Sequence, residues 1–203
     1  MFPNSKRSAF YPQNKSMFLC VYKKLCLLCL KILIFIKTLP MKKLLFFLLL
    51  ATTFATAQDK QAINTMLDNW HKAAADVQFD NYFSYLTDDA IYIGTDATEN
   101  WNKKQFQAFA KPYFDKGRAW SFTALERNIY FSLDGKMAWF DELLNTQMKI
   151  CRGSGVLVKV KNTWKIKHYV LSMTIPNDNS DEVTKTKAPI EDALIEKLKT
   201  KVP

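Results

Sequence analysis

The side chains best suited to chemistry fall in short, separate stretches of this 203-residue chain: Tyr92 and Trp101, then Trp139 and Asp141, then Arg152, then His168. A neutral imidazole oriented by a carboxylate is a competent proton acceptor, so His168 and Asp141 form the candidate catalytic pair. Arg152 carries a guanidinium that cannot be buried without a partner. Asp141 is the first choice for that partner, with Glu142 the fallback if the strand register is shifted. Two readings of such a pair stay open. It is either a buried ion pair that fixes register, or the polar floor of an aromatic pocket built by Tyr92, Trp101, Trp139, Asp141, Arg152 and His168. An Asp141 paired with Arg152 would be held well below the usual carboxylate range, which suits positioning better than proton abstraction.

Other chemistries find less support. His71 and His168 are the only histidines and no cysteine pair accompanies them, so no metal site is expected. Cys151 reads as a small buried hydrophobe in a strand. The run Asn177-Asp178-Asn179-Ser180-Asp181-Glu182 lacks the glycine and distal glutamate of a calcium loop and reads as a solvated linker. Gly153-Ser154-Gly155 precedes no helical pattern, so it is no phosphate loop, and no cofactor is expected.

The elements that must carry these residues follow from periodicity. Ile63, Met66, Leu67, Trp70, Ala74 and Val77 recur at helical spacing and predict a helix from about Asp59 to Asp76. A shorter helical segment spans Phe79 to Leu86, ended by Asp88-Asp89, and Ala90 to Ile93 is extended before a turn at Gly94. A third helix carries Phe106, Phe109, Ala110, Tyr113 and Phe114, capped at Gly117 and expected to kink or break at Pro112. After Arg118 the period becomes two. Strands are expected over Trp120 to Leu133, Met137 to Met148, Ile150 to Lys161 and Trp164 to Ile175, with turns at Asp134-Gly135 and Lys161-Asn162. Helices followed by consecutive strands on short turns make an α+β domain with a curved antiparallel sheet wrapped around the first helices. Lys159, Lys161, Lys165 and Lys167 should mark wet faces, so Arg152, with the valines of its strand, and His168 are expected to point to the covered side unless a bulge intervenes.

Charge and hydropathy give an address. The formal charge of +10 misleads: nine of the 29 cations lie before residue 58, where no acid occurs, leaving 20 cations against 19 acids. A folded part so near neutrality argues against nucleic acid as a partner. From Met41 the order of two lysines, an apolar run from Leu44 to Ala51, and Ala55-Thr56-Ala57 reads as a secretory signal cleaved after Ala57. The mature chain is expected to be periplasmic or extracellular, meeting a membrane only through its leader before cleavage. Residues 1–40, whose apolar runs are cut by lysines, read as an upstream extension assigned in error, with an N-terminal membrane helix as the alternative. The domain itself is expected over 58–176, followed by a polar linker and a tail (177–203) with a weak helical stripe of Ile190, Leu194, Ile195 and Leu198.

Four strings in this order then point to a family. Tyr92-Ile93-Gly94-Thr95-Asp96 with Glu99-Asn100-Trp101, Ala138-Trp139-Phe140-Asp141-Glu142, Arg152-Gly153-Ser154-Gly155-Val156-Leu157, and Trp164 to Tyr169 with Ser172 resemble the SnoaL-like branch of the nuclear transport factor 2-like superfamily. The resemblance runs from about Lys60 to Asp178. It implies a cone of α+β structure, a pocket at the wide end, and homodimerisation through the sheet's outer face. The fold is shared by isomerases, cyclases, dehydratases and association domains, and licenses no chemistry by itself. No full set of isomerase-like residues aligns. The expected role is binding of a small, partly apolar molecule without turnover; the alternatives are an isomerase, cyclase or dehydratase using His168 and Asp141, or a structural dimerisation module.

Overall fold

The computed structural model describes residues 41–200, with side chains from Ala57 onward. The expected upstream extension, its alternative as a membrane helix, and the leader's side chains lie outside the described residues. The chain divides into two units, Met1–Ala55 and Thr56–Pro203. No helix among the described residues is long and apolar enough to cross a membrane.

Helix α1 spans Met41–Ala75, and its second half carries the expected stripe: Ile63, Leu67, Trp70 and Ala74 are all essentially inaccessible to solvent. Burying each large side chain of that stripe contributes about 1.5–3 kcal/mol. Helix α2 (Phe79–Ser84) follows, and the chain then extends as β1 (Leu86–Ile93), so Asp88 and Asp89 sit within a strand rather than ending a helix. Gly94 turns the chain, donating to the Glu99 carbonyl, into the short strand β2 (Asn100–Asn102). Asn102 caps α3 (Lys103–Asp115) through a reciprocal box with Gln105. Pro112 does not break α3: it lies in the exposed last turns, and Ala108, whose carbonyl loses its donor, is itself exposed. Gly117, at φ +67°, closes the helix as expected, with the Arg118 amide donating to the Tyr113 carbonyl.

Four long strands complete the sheet: β3 (Thr123–Phe131), β4 (Met137–Thr146), β5 (Lys149–Val160) and β6 (Thr163–Met173). Lys161 and Asn162 both take positive φ, as the tight β5–β6 turn demands. The sheet order is β2-β1-β6-β5-β4-β3. Its neighbours are antiparallel except β1 and β6, which run parallel, so the sheet is mixed rather than wholly antiparallel. The long excursion through β2, α3 and three strands returns the chain beside β1 in the same direction. After a short 3-10 turn at Asn177–Asn179, the expected linker proves helical: α4 (Ser180–Lys199) contains Pro189 and buries none of its residues.

One face of the sheet and the apolar stripe of α1 share an aromatic core of Trp70, Tyr82, Tyr92, Phe106 and Tyr169. Tyr92 stacks on Phe106 with centroids 3.9 Å apart, and Trp70 meets Tyr169 edge-on at 4.8 Å. Most of the space inside the sheet is therefore filled by rings. Cys151 is buried in β5, its Sγ 3.5 Å from the Thr146 hydroxyl.

Candidate functional site

Which side chains face this interior is decided by two glycines and one bulge. In β5 the buried residues are Cys151, Gly153, Gly155 and Leu157, so Arg152, Ser154, Val156 and Val158 lie on the opposite, outer face. A methyl group at Gly153 would sit 2.3 Å from the Tyr169 hydroxyl, and one at Gly155 would sit 2.6 Å from the His168 carbonyl oxygen and 2.7 Å from the Phe140 ring. The interior needs the glycines because large groups cross over them. No bulge occurs at the glycines themselves. The register slips one step further on, where Val156 pairs with His168 and Leu157 with Ile166, leaving Lys167 as the extra residue. Trp164 and Ile166 face inward before the slip, Tyr169 and Leu171 after it, and His168 is carried to the outer face.

The expectation that Arg152 and His168 point inward is thereby corrected. Arg152 is exposed and stands opposite Leu143 and Ser172; His168 is half-buried beside Val156. The wet-lysine criterion failed at Lys159, which shares the inward parity but escapes at the strand end. Its ammonium lies 2.8 Å from Asp59 of α1 and 5.1 Å from the Trp164 ring centroid. Trp139 and Asp141 also lie on the outer face, Trp139 stacked on Tyr130 and Asp141 accepting from Asn128 at 3.2 Å. Asp141 and Arg152 form no ion pair among the described residues. The six expected site residues thus divide: Trp139, Asp141, Arg152 and His168 share the outer face, while Tyr92 and Trp101 border the interior.

The buried ion pair exists with other members. Glu142, the fallback, is directly opposite Arg127 in β3 and Gly153 in β5, and its side chain is inaccessible to solvent. Its Oε2 accepts from Arg127 Nε at 2.9 Å. Arg127 Nη2 lies 2.8 Å from the same oxygen, close enough for charge attraction but off the line of a hydrogen bond. Glu142 Oε1 is bonded to His71 Nε2 at 2.9 Å and accepts from the Tyr169 hydroxyl at 3.2 Å. Arg127 Nη1 continues to Asp68 of α1 at 2.9 Å. Burial pushes Glu142 up, but the His71 hydrogen bond and the charges of His71 and Arg127 outweigh it and hold the carboxyl below its ordinary value. Burial, reinforced by the Glu142 charge, pushes the Tyr169 phenol well up, keeping it a neutral donor. The sequence held signals for this cluster. His71 falls four residues after Leu67 on the apolar stripe, and Arg127 shares its parity with Ile129 and Phe131.

Two hollows are of interest, and the second borders the cluster through Asp68 and His71. An inner cavity of about 140 Å³ is lined by Tyr92, Trp101, Phe106, Phe109 and Trp120, with Glu99 and Gln147 supplying polar atoms. Trp101 stacks on Phe109 at 4.4 Å, so a ring entering here meets aromatic faces. A groove of about 210 Å³ shares Phe109, Trp120 and Gln147 with it and ends near Arg118. Burial and the Glu99 charge push the Tyr92 hydroxyl well above its ordinary value, so it enters any interaction as a neutral group. The second hollow, of about 410 Å³, lies between α1 and the start of β3, with His71 and Phe122 at its back. No group of three or more His, Cys, Asp or Glu residues among the described residues is placed to hold a metal ion.

Comparison with known proteins agrees with this architecture. The family model for the SnoaL-like domain matches residues 63–176. No curated protein matches the chain. Among solved structures, an NTF2-like protein of unknown function from Pseudomonas putida superposes with a TM-score of 0.51 at 14% identity, covering 61% of this chain and 92% of that one. A provisionally named scytalone dehydratase from Novosphingobium aromaticivorans gives 0.52 at 14% identity, covering 61% and 89%. A provisionally named dehydratase of the NTF2-like family from Streptomyces avermitilis gives 0.52 at 10% identity, covering 60% and 99%. At such identities the likeness concerns the fold alone. With the family model spanning more than half of its length, the chain belongs to the SnoaL-like domain family.

Proposed function

We propose that the protein is an exported, homodimeric SnoaL-like domain that binds a small, partly apolar molecule in its inner cavity without turning it over. The observation that carries the reading is the cavity itself, bounded by the faces of Tyr92, Trp101, Phe106 and Trp120 and edged by Glu99 and Gln147. A cavity of about 150 Å³ admits a benzene-sized molecule, so the fit is a single ring, with any tail lying along the groove toward Arg118. Fused polycyclic ketones are too large for it. Binding rather than turnover is favoured because the expected catalytic pair, His168 and Asp141, lies on the outer face, away from this cavity. Export rests on the residue order of 41–57 and is checked by sequencing the secreted product, which should begin at Gln58.

Titration with single-ring phenols and short-chain aromatic acids, followed by tryptophan fluorescence and calorimetry, tests the binding. A ligand of this class should quench fluorescence saturably, and Leu171→Phe, which fills the cavity from β6, should abolish the effect while the melting temperature holds. If no compound of the class binds at millimolar concentration, the cavity is a packing remnant and the domain is a structural module.

A further inference from the structure

We infer that the inner cavity takes a cation: a small quaternary ammonium compound whose methylated nitrogen lies among Trp101, Phe106, Phe109 and Trp120 and is neutralised by the Glu99 carboxylate. This inference rests on the reading of that cavity as a binding site and fixes the charge of what it binds. The charge of the lining comes first. Among the described residues that border the cavity, Glu99 alone is charged, and the other polar side chains are neutral. The loop that carries it holds a second acid, Asp96, and no base between Gly94 and Asn100. The lysine next along the chain, Lys103, is engaged elsewhere, its ammonium donating to the Asp88 carboxylate at 3.1 Å and to the Leu86 carbonyl at 3.2 Å. Glu99 is also held in place. Its Oε2 accepts from the Asp96 amide at 3.2 Å, and its own carbonyl accepts from the Gly94 amide at 3.0 Å. The carboxylate is seated so close above Gly94 that a methyl group there would lie 2.1 Å from Oε2. The turn therefore presents this charge to the cavity, where, after burial, it is the strongest influence raising the Tyr92 hydroxyl.

The lining then selects the ligand class. A neutral apolar molecule filling the cavity strips water from Glu99 and supplies no partner in its place, which is costly. A cation supplies the counter-charge. The kind of cation follows from the rest of the wall. A primary ammonium pointed at Glu99 turns its other N–H groups toward the rings and leaves them unpaired. A nitrogen substituted only by carbon has no N–H to satisfy. Its charge is spread over methyl groups that pack on the rings, and aromatic rings attract such a cation within about 6 Å of their centroids. A cavity of about 140 Å³ keeps any occupant within that reach of several rings. Trp101 and Phe109 have centroids 4.4 Å apart, and Phe106 lies 5.8 Å from both Trp101 and Trp120. A trimethylammonium head has the bulk of a single ring, so it meets the same size limit. A polar tail on the nitrogen runs along the groove toward Arg118.

The test is calorimetry on the full chain with choline, with 3,3-dimethylbutan-1-ol as its uncharged isostere, and with ethanolamine as the unmethylated ammonium. Choline should bind about tenfold more tightly than either, the margin expected from a partly desolvated cation among aromatic rings. Glu99→Gln keeps an oxygen to accept from the Asp96 amide, so the melting temperature should hold. The same variant should weaken choline about tenfold and leave the neutral alcohol unaffected. Leu171→Phe should abolish the binding of all three, which locates them in the cavity. Equal affinity for choline and its isostere, a choline preference that survives Glu99→Gln, or ethanolamine binding as tightly as choline overturns the proposal. Phenol separates the two levels of the reading. If phenol binds and choline does not, the charge assignment alone falls; if neither binds, the cavity reading falls with it.

Discussion

Glu142→Gln isolates the charge of the buried cluster, because the two side chains have nearly the same shape. The Glu142 side chain is inaccessible and Arg127 is 6% exposed, so little solvent screening softens the loss. Removing one member of a buried pair costs about 3–5 kcal/mol, chiefly from the uncompensated partner left behind. Asp68 still holds Arg127 from the other side, but it is 64% exposed and compensates only in part, which places the cost near the lower end, about 3 kcal/mol. For a unit spanning Thr56–Pro203, where each kcal/mol moves the melting temperature by roughly 2–4 °C, the expected fall is about 6–12 °C. The assay is thermal and urea unfolding at pH 7, repeated from pH 7 to pH 3. The folded-state pKa of Glu142 is lowered, so its stabilisation is fully present above the ordinary value of 4.5 and is lost as the pH falls through the lower folded value. The wild-type protein should therefore lose stability in acid more steeply than Glu142→Gln. A variant that melts within about 2 °C of wild type, with the same acid slope, refutes the account of Glu142 as the ionised centre of the cluster.

Two further outcomes follow from the same geometry. Gly155→Ala should destabilise by about 2–3 kcal/mol in urea unfolding, because the new methyl meets the His168 backbone oxygen at 2.6 Å, and backbone cannot step aside as a flexible side chain would. The proposed homodimer, if it forms through the outer sheet face, should become a monomer in sedimentation on Trp139→Lys while the monomer stays folded, since Trp139, Tyr130 and Met137 are each nearly half exposed on that face and form an apolar patch.

Local pattern determined a good part of this protein. The stripe of α1, the cap at Gly117, the turn at Lys161-Asn162 and the four long strands are set by neighbours within a few residues, and periodicity reads such signals directly. The same is true of the α+β class and of the family, since the strings around Gly94, Trp139, Gly153 and His168 occur in the right order. Parity within a strand was legible as well: Arg152 does share a face with Val156 and Val158. Only the tertiary structure decided which face that is. The valines lie outside because Tyr169 and Phe140 need the space above Gly153 and Gly155, and a single extra residue at Lys167 reverses the second half of β6. A one-residue slip exchanges every inward and outward side chain, and its cause is a contact between strands rather than anything local. For the same reason the charged centre fell to His71, Arg127 and Glu142: the register of β3 on β4 sets Arg127 opposite Glu142, and only the packing of α1 on the sheet brings His71 within 3 Å of that carboxylate.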